Sequence, residues 1–453
     1  MKGIYIETKK ITIFLGKRTD YMEILSLGEK IKRKRKELDM TLKELAGDRI
    51  TPGQISLVES GKSNPSMDLL DYLALTLRTS TEYLMESEET QAEKICLYFE
   101  DMAEFNIMNE NLISCEKYIE KALFYAEKYN LEYRKARNLF LRGNMCILKG
   151  EMALAQQFFL SSNGIFIHEN KYEDIVNTFL KLGFITLEMK AYQSAFSYFK
   201  QAEEVYINND IGNDFLLGQI YYYIALTNFK LDNIESSINY SFLSKQKFSQ
   251  LDNKKDYAKS LLLIAEEYSK QGNVDKAIKY SKKTLQAFKE VNDSEYLSKV
   301  ENDIGKLFFE FENIEESFIH YKKAVEIRKK NKDKKLIETL INICENYIKL
   351  KDVNNSKATL DEIMENISET DTDSLLTYYL LKYRISNLED NYNQAENTLI
   401  VALNYSKAVK NIIKSAEISI ILGKFYIDNG DDKKAAVYLN MGVELFKEQG
   451  VLK

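Results

Sequence analysis

The chain has 453 residues, 45% of them hydrophobic and 29% charged, with 2 prolines and 18 glycines. That length exceeds what one core usually serves, and so few breakers favour long helices. The formal charge of −6 is uneven, since residues 1–85 hold 15 basic against 12 acidic side chains while the remainder holds 48 against 57. A mildly basic head on an acidic body suits a polyanion partner at the N-terminus only. No apolar run approaches the roughly 18 residues of a membrane span, and a cytoplasmic protein is expected.

Residues 1–26 form an extension, expected to be disordered or a misassigned start, with Met22 as the alternative initiator. Ile11–Leu15 is too short an apolar run for a signal peptide.

Residues 27–85 read as five short helices. In the first, Leu27, Ile31 and Leu38 make an apolar stripe. Lys30, Lys32, Arg33, Lys34, Arg35 and Lys36 are expected on the solvated face. Thr41-Leu42-Lys43-Glu44 is a capping box that opens the second helix, with Leu42, Leu45 and Ala46 inward. Gly47–Ile50 is a turn. Thr51 caps the third helix and Pro52 occupies its first position, where a missing N–H costs nothing. Ile55 and Val58 face the core. Ser66 and Ser80 open the fourth and fifth helices.

The strings Thr41–Ala46 and Thr51–Ser66 resemble the Cro/C1 (Xre) type of helix-turn-helix. The resemblance covers about 60 residues and implies double-stranded DNA as partner, with the third helix in the major groove. Carried over, Thr51, Gly53, Gln54 and Leu57 would face bases, Gln54 being suited to adenine. Lys43, Arg49, Lys62, Ser63 and Asn64 would contact phosphates, which position without reading sequence. Glu59 is expected to hold the domain together. The Gly47–Ile50 turn is one residue shorter than the commonest form. A helix-turn-helix retained for protein binding is the alternative.

Residues 86–93 are expected to be a linker. From 94 to 450 the chain repeats. Cys115, Ala155, Ala195, Ser237, Ala277, Ser317, Ser356, Ala395 and Ala435 recur at intervals of 40, 40, 42, 40, 40, 39, 39 and 40. Seven residues after each stands Ala122, Ser162, Ala202, Ser244, Thr284, Ala324, Ile363, Ala402 or Gly442. Twelve before each stands Ala103, Gly143, Gly183, Ala225, Ala265, Gly305, Cys344, Tyr383 or Gly423. Small side chains are needed where two helices cross closely, and Phe159, Phe199 and Tyr321, four after a station, would fill the gaps. Stacked helical hairpins follow, because no unit of this length buries its faces alone.

These columns resemble tetratricopeptide repeats, with a period near 40 and no closing proline. The expected fold is all-α: a five-helix Cro/C1-type domain, then a right-handed superhelix of about nine tetratricopeptide-like hairpins. The combination resembles the RRNPP group of peptide-sensing regulators (Rgg, PlcR and NprR types). That resemblance implies quorum sensing, a short signalling peptide on the concave face, and a homodimer through the repeats that reads half-sites ~34 Å apart.

The concave face should carry Asn144, Asn177, Lys181, Gln219, Tyr222, Tyr223, Glu266, Asn302, Lys306, Asn342, Glu345 and Arg384. Asparagine offers a peptide backbone both a donor and an acceptor. Lys181, Lys306 or Arg384 would hold a terminal carboxylate. The four cysteines lack ligand spacing and are expected as buried thiols, and the two histidines, His168 and His320, stand far apart. No metal, cofactor or catalytic constellation is expected. Besides the peptide-controlled regulator, a protein-binding adaptor, an antitoxin-like regulator and a response-regulator phosphatase remain open.

Overall fold

A computed structural model describes residues 23–368 and 370–448. Most of the expected extension, residues 1–22, lies outside them. The described residues are helical, with no strand among them, and the chain divides into two compact units, Met1–Asn213 and Asp214–Lys453.

Five short helices open the first unit: α1 Leu27–Glu37, α2 Leu42–Ala46, α3 Pro52–Glu59, α4 Met67–Thr76 and α5 Thr81–Met85. Ser26, Thr41 and Thr51 each make a full capping box, and Ser80 caps through Tyr83 N–H, whereas Ser66 makes no side-chain cap bond. These caps matter because helices of five to eleven residues gain little from propagation alone. Ile31, Leu45, Ala46, Ile55, Val58, Leu70, Leu73, Ala74, Leu77 and Leu84 form the core.

The basic run of α1 is not uniformly solvated. Lys30 is 1% exposed and donates to the carbonyls of Tyr83 (2.8 Å) and Glu86 (2.7 Å). Its ammonium neutralises the carbonyl-rich end of α5, while burial lowers its pKa against the pull of Glu86. Arg35 likewise turns inward onto both oxygens of Glu59, at 2.6 and 2.9 Å, and onto the Met40 carbonyl. The helical period could not show this, because a long cationic side chain can leave its expected face to reach a carbonyl.

The expected linker 86–93 is largely helix. Ser87 caps α6, Glu88–Met108, so only Glu86 and Ser87 separate it from α5. The Gln91 amide exchanges hydrogen bonds with Leu25 N–H (3.1 Å) and C=O (2.9 Å), which ties the head to this helix.

The hairpins of the first unit are α6 with α7 Leu112–Lys128, α8 Glu132–Leu148 with α9 Met152–His168, and α10 Tyr172–Glu188 with α11 Tyr192–Asn208. The second unit has α12 Asp214–Lys230 with α13 Ile234–Gln250, α14 Lys254–Lys270 with α15 Val274–Val291, and α16 Ser294–Glu310 with α17 Ile314–Asn331. It ends on α18 Leu336–Lys349 with α19 Val353–Asn366, α20 Thr372–Leu388 with α21 Tyr392–Ala408, and α22 Ile412–Asp428 with α23 Asp432–Glu448. Among the described residues nine hairpins thus stand where nine stations were read. The single interval of 42 falls at the division between the units, where Asn209–Asn213 is longer than the usual three-residue turn.

The stations Cys115 to Ala395 are fully buried, and Ala435 is nearly so. A β-carbon added at Gly183 would lie 2.3 Å from the Phe199 ring. At Gly143 and Gly305 it would meet Phe159 and Tyr321 at 2.8 and 2.5 Å. In these three hairpins the glycine of the first helix is therefore the socket for the aromatic of the second, while Gly423 receives Leu439 in the same way. At two of the three serine stations the hydroxyl also bonds across the crossing, Ser237 to Ala225 O (2.7 Å) and Ser317 to Gly305 O (2.8 Å), whereas Ser356 bonds back to Asp352 O at the start of its own helix. Turns recur about every 20 residues, and among the described residues all but the α19–α20 turn hold one left-handed residue. Glycine takes that place at 150, 272 and 430, Asn or Asp at most of the others, and lysine or glutamate at positions such as Glu110, Lys190, Glu312 and Lys351.

All four cysteines are buried and unbridged. Burial pushes the Cys96 and Cys344 thiols up to about 12 and Cys115 to about 11, far from nucleophilic ionisation.

Candidate nucleic-acid interface and ligand face

Ile55 and Val58 lock α3 onto the head core, so its remaining sides face outward. All nine sequence-selected residues are exposed: Lys43, Arg49, Thr51, Gly53, Gln54, Leu57, Lys62, Ser63 and Asn64. Leu57 is 46% exposed. Gln54 is not free in the unbound protein, since its carbonyl oxygen accepts from Thr51 N–H at 3.0 Å. Its amide hydrogens remain available, and a bidentate contact with adenine would require Gln54 to release that cap. Arg49 rests over the Tyr72 ring, 5.8 Å from its centroid, which orients the guanidinium at the edge of the turn. Gly28 lets α1 approach the end of α3, because a β-carbon there would meet the Val58 and Glu59 carbonyls at 2.5 and 2.6 Å.

The first helices of successive hairpins are joined by polar ladders. In the first unit, Arg134 pairs with Glu93 (3.2 Å) and Glu100 (3.1 Å), and Arg137 with Glu104 (2.7 Å) and Asp174 (3.5 Å). Burial pushes Glu100 up to about 7 against the opposing pull of Arg134 and Arg137. Asn144 and Asn177 are half-buried here with no protein partner among the described residues. Lys181, also half-buried, has no carboxylate partner either, and burial alone lowers its pKa.

In the second unit the ladder runs from Glu266 to Lys299 (3.9 Å), from Lys306 to Glu338 (2.7 Å), from Asn342 to Asn302 (3.1 Å) and from Arg384 to Glu345 (3.3 Å). Tyr222 and Tyr223 stand edge to face, 5.5 Å apart. Gln219 has no protein partner among the described residues. Glu266 is pushed up to about 7, chiefly by burial, with Lys299 opposing and Asp303 adding to the rise. A third of its side chain still reaches solvent.

The selected residues fall in two sets, three in the first unit and nine in the second. The expectation for three of them changes. Lys306 and Arg384 are neutralised by Glu338 and Glu345, and Asn302 is 1% exposed with its amide held by Glu338 and Asn342. Lys181 alone of the proposed carboxylate anchors keeps an unpaired charge. Arg137, Lys299, Asp303 and Glu338, not among the expected residues, share the same register, two or six residues before the small residue of the first helix, so the spacing pointed to them as well.

Among the described residues no helix is long and apolar enough to cross a membrane, and no cluster of three metal-ligating side chains occurs.

An exposed α3 behind a capped turn, followed by hairpins crossing at small stations, defines a helix-turn-helix protein with tetratricopeptide repeats. Residues 31–84 match the helix-turn-helix family and 256–330 the tetratricopeptide repeat family. No curated protein sequence matches the chain. Among solved structures it is similar to the apo form of RapI, with 15% identity over 79% of this chain and 98% of that one, at a TM-score of 0.57. The apo quorum sensor NprR from B. thuringiensis gives 14% identity over 93% and 100%, with a TM-score of 0.52. Aspartyl phosphate phosphatase F from Bacillus subtilis gives 11% over 80% and 95%, with a TM-score of 0.50. At these identities the likeness is one of fold, shared by sensors and phosphatases alike.

Proposed function

We propose that the chain is a sequence-specific transcriptional regulator whose DNA affinity is set by a short signalling peptide bound along the first helices of its hairpins. The observation that carries the reading is the pairing of a fully exposed α3 face with half-buried, unpartnered amides at Asn144 and Asn177 of the same unit. An extended peptide satisfies such amides through its backbone, and an array of crossing helices supplies them at regular intervals. The NprR match, which covers head and repeats together, supports the same combination.

Lys181 is the proposed anchor for the peptide's terminal carboxylate, since its charge is unneutralised in the free protein. The peptide acts on DNA binding only by its differential affinity for two arrangements of the protein. A homodimer, and control by a peptide encoded beside the gene, belong to the same proposal.

Footprinting on DNA upstream of the chain's own gene, with and without peptides encoded next to it, tests the reading. Protection of a defined site that changes on adding one peptide supports it. Uniform binding to all DNA, or none with any peptide, overturns it. Lys181→Met should weaken a free-acid peptide at least tenfold and leave its C-terminal amide almost unaffected, as read by calorimetry.

A further inference from the structure

Adjacent glutamates on α14 go opposite ways. Glu266 lies in the ladder, whereas Glu267 is 0% exposed and enters the junction of α12, α13 and α14. Its Oε1 lies 2.5 Å from Ser237 Oγ and 2.6 Å from Ser241 Oγ, while its Oε2 is buried with no partner. Ser237 Oγ is also 2.7 Å from the Ala225 carbonyl. A hydroxyl has one proton, and a carbonyl can only accept. If Ser237 donates to Ala225, the proton in its contact with Glu267 must come from the glutamate.

The repeat provides an internal control. Eighty residues on, Ser317 occupies the station of Ser237 and donates to Gly305 O at 2.8 Å. There the Ser317 hydroxyl accepts from Asn346 Nδ2 at 3.0 Å. Asn346 stands two residues after Cys344, as Glu267 stands two after Ala265, and Asn346 Oδ1 is buried without a partner just as Glu267 Oε2 is. Glu267 therefore fills the place of an amide: one atom donates to the station serine and one carbonyl oxygen is left bare. As an anion it would place a full charge out of water with no cation to offset it. Among the described residues the one charged group acting on it is Glu266 of its own helix. The surrounding helices contribute the Ser237 and Ser241 hydroxyls and no charge.

We propose that Glu267 is a neutral carboxylic acid that donates to Ser237, and that losing its proton unlocks the α12–α13–α14 junction. Burial, the largest influence on it, pushes the group up to about 8 from 4.5 in spite of the two serine bonds. The folded chain then keeps a proton that the unfolded chain releases. The stabilisation is complete below the unfolded value, declines as pH rises, and is gone once pH passes about 8. Because α12 and α14 also carry Tyr222 and Glu266, the lock lies beneath part of the ligand face, a consequence that rests on the function proposed above.

Thermal unfolding of the full chain from about pH 5 to about pH 9, for wild type and Glu267→Gln, tests the lock without any ligand. The glutamine can donate from the same position at every pH. The wild-type midpoint should fall relative to E267Q by several degrees across this range, and the gap should stop growing above about pH 8. Parallel profiles, or a wild type that gains on E267Q as pH rises, overturn the proposal. Should E267Q not fold, Glu267→Met fills a similar volume without charge, and the same two outcomes decide. A protonated-carboxyl infrared band at neutral pH, present in wild type and lost in either variant, supports the lock; an unchanged spectrum refutes it. These readings stand or fall separately from peptide or DNA binding.

Discussion

The head and the repeats solve the same problem by different means. The head has short helices and a small core, so individual polar devices hold it: three capping boxes, Lys30 on the end of α5, and the Arg35–Glu59 pair. The repeats use almost none of these at their crossings. They rely on register, with a small residue at each crossing and, at Gly143, Gly183 and Gly305, an aromatic ring seated against it. Single polar contacts therefore carry much of the head's stability, whereas the repeats are sensitive to volume at fixed stations.

The contrast breaks most visibly at Gly183. Gly183→Leu puts four carbons where even one would overlap the Phe199 ring, and should destabilise the first unit by about 3 kcal/mol or more, read by urea unfolding. A loss under about 1 kcal/mol would mean that the crossing is not close-packed.

In the head, Arg35→Ala should cost about 3 kcal/mol, because it strands the Glu59 carboxylate at a side-chain exposure of 8%. The double variant with Glu59→Ala should recover part of that loss. A double variant no more stable than the single one would show that the pair is not what binds α1 to α3.

On the DNA side, Gln54→Ala should lose about 1–3 kcal/mol at one base position and relax preference there. Lys62→Ala should weaken all sequences alike and lower the salt slope by about 1. Swapped behaviour would shift the reading set along α3, which is the sensitive point given the short Gly47–Ile50 turn.

The smallest effect is a gain. Gly164 lies within α9, and a β-carbon there would meet nothing within 4 Å. Gly164→Ala should therefore stabilise by about 0.5–1 kcal/mol, through helix propensity alone. A loss would show that this glycine, unlike the one at 183, is needed for an approach made by another molecule.

Much of this was legible in advance, for different reasons in the two regions. Thr41, Glu44, Thr51 and Pro52 announce their helices because capping is local chemistry between residues three apart. Gly143, Gly183 and Gly305 announce crossings because nine periods make even a weak preference visible. The non-glycine turns at Lys190 and Lys351 were harder to see, since left-handed backbone there is imposed by the flanking helices and not by the residue.

By itself the sequence determined the order of elements, the number of hairpins, the sealed side of each helix and the exposed face of α3, because all of these follow from spacing along one chain. Only the tertiary structure decided which charges are spent: that Lys30 and Arg35 turn inward, that Lys306 and Arg384 are neutralised while Lys181 is not, and that Glu267 stands where a repeat-mate uses an amide. The physical reason is that the state of a polar group depends on who faces it across a helix junction. Those partners stand about 30 to 40 residues away along the chain in the repeats, and farther for Lys30, beyond the reach of any local pattern.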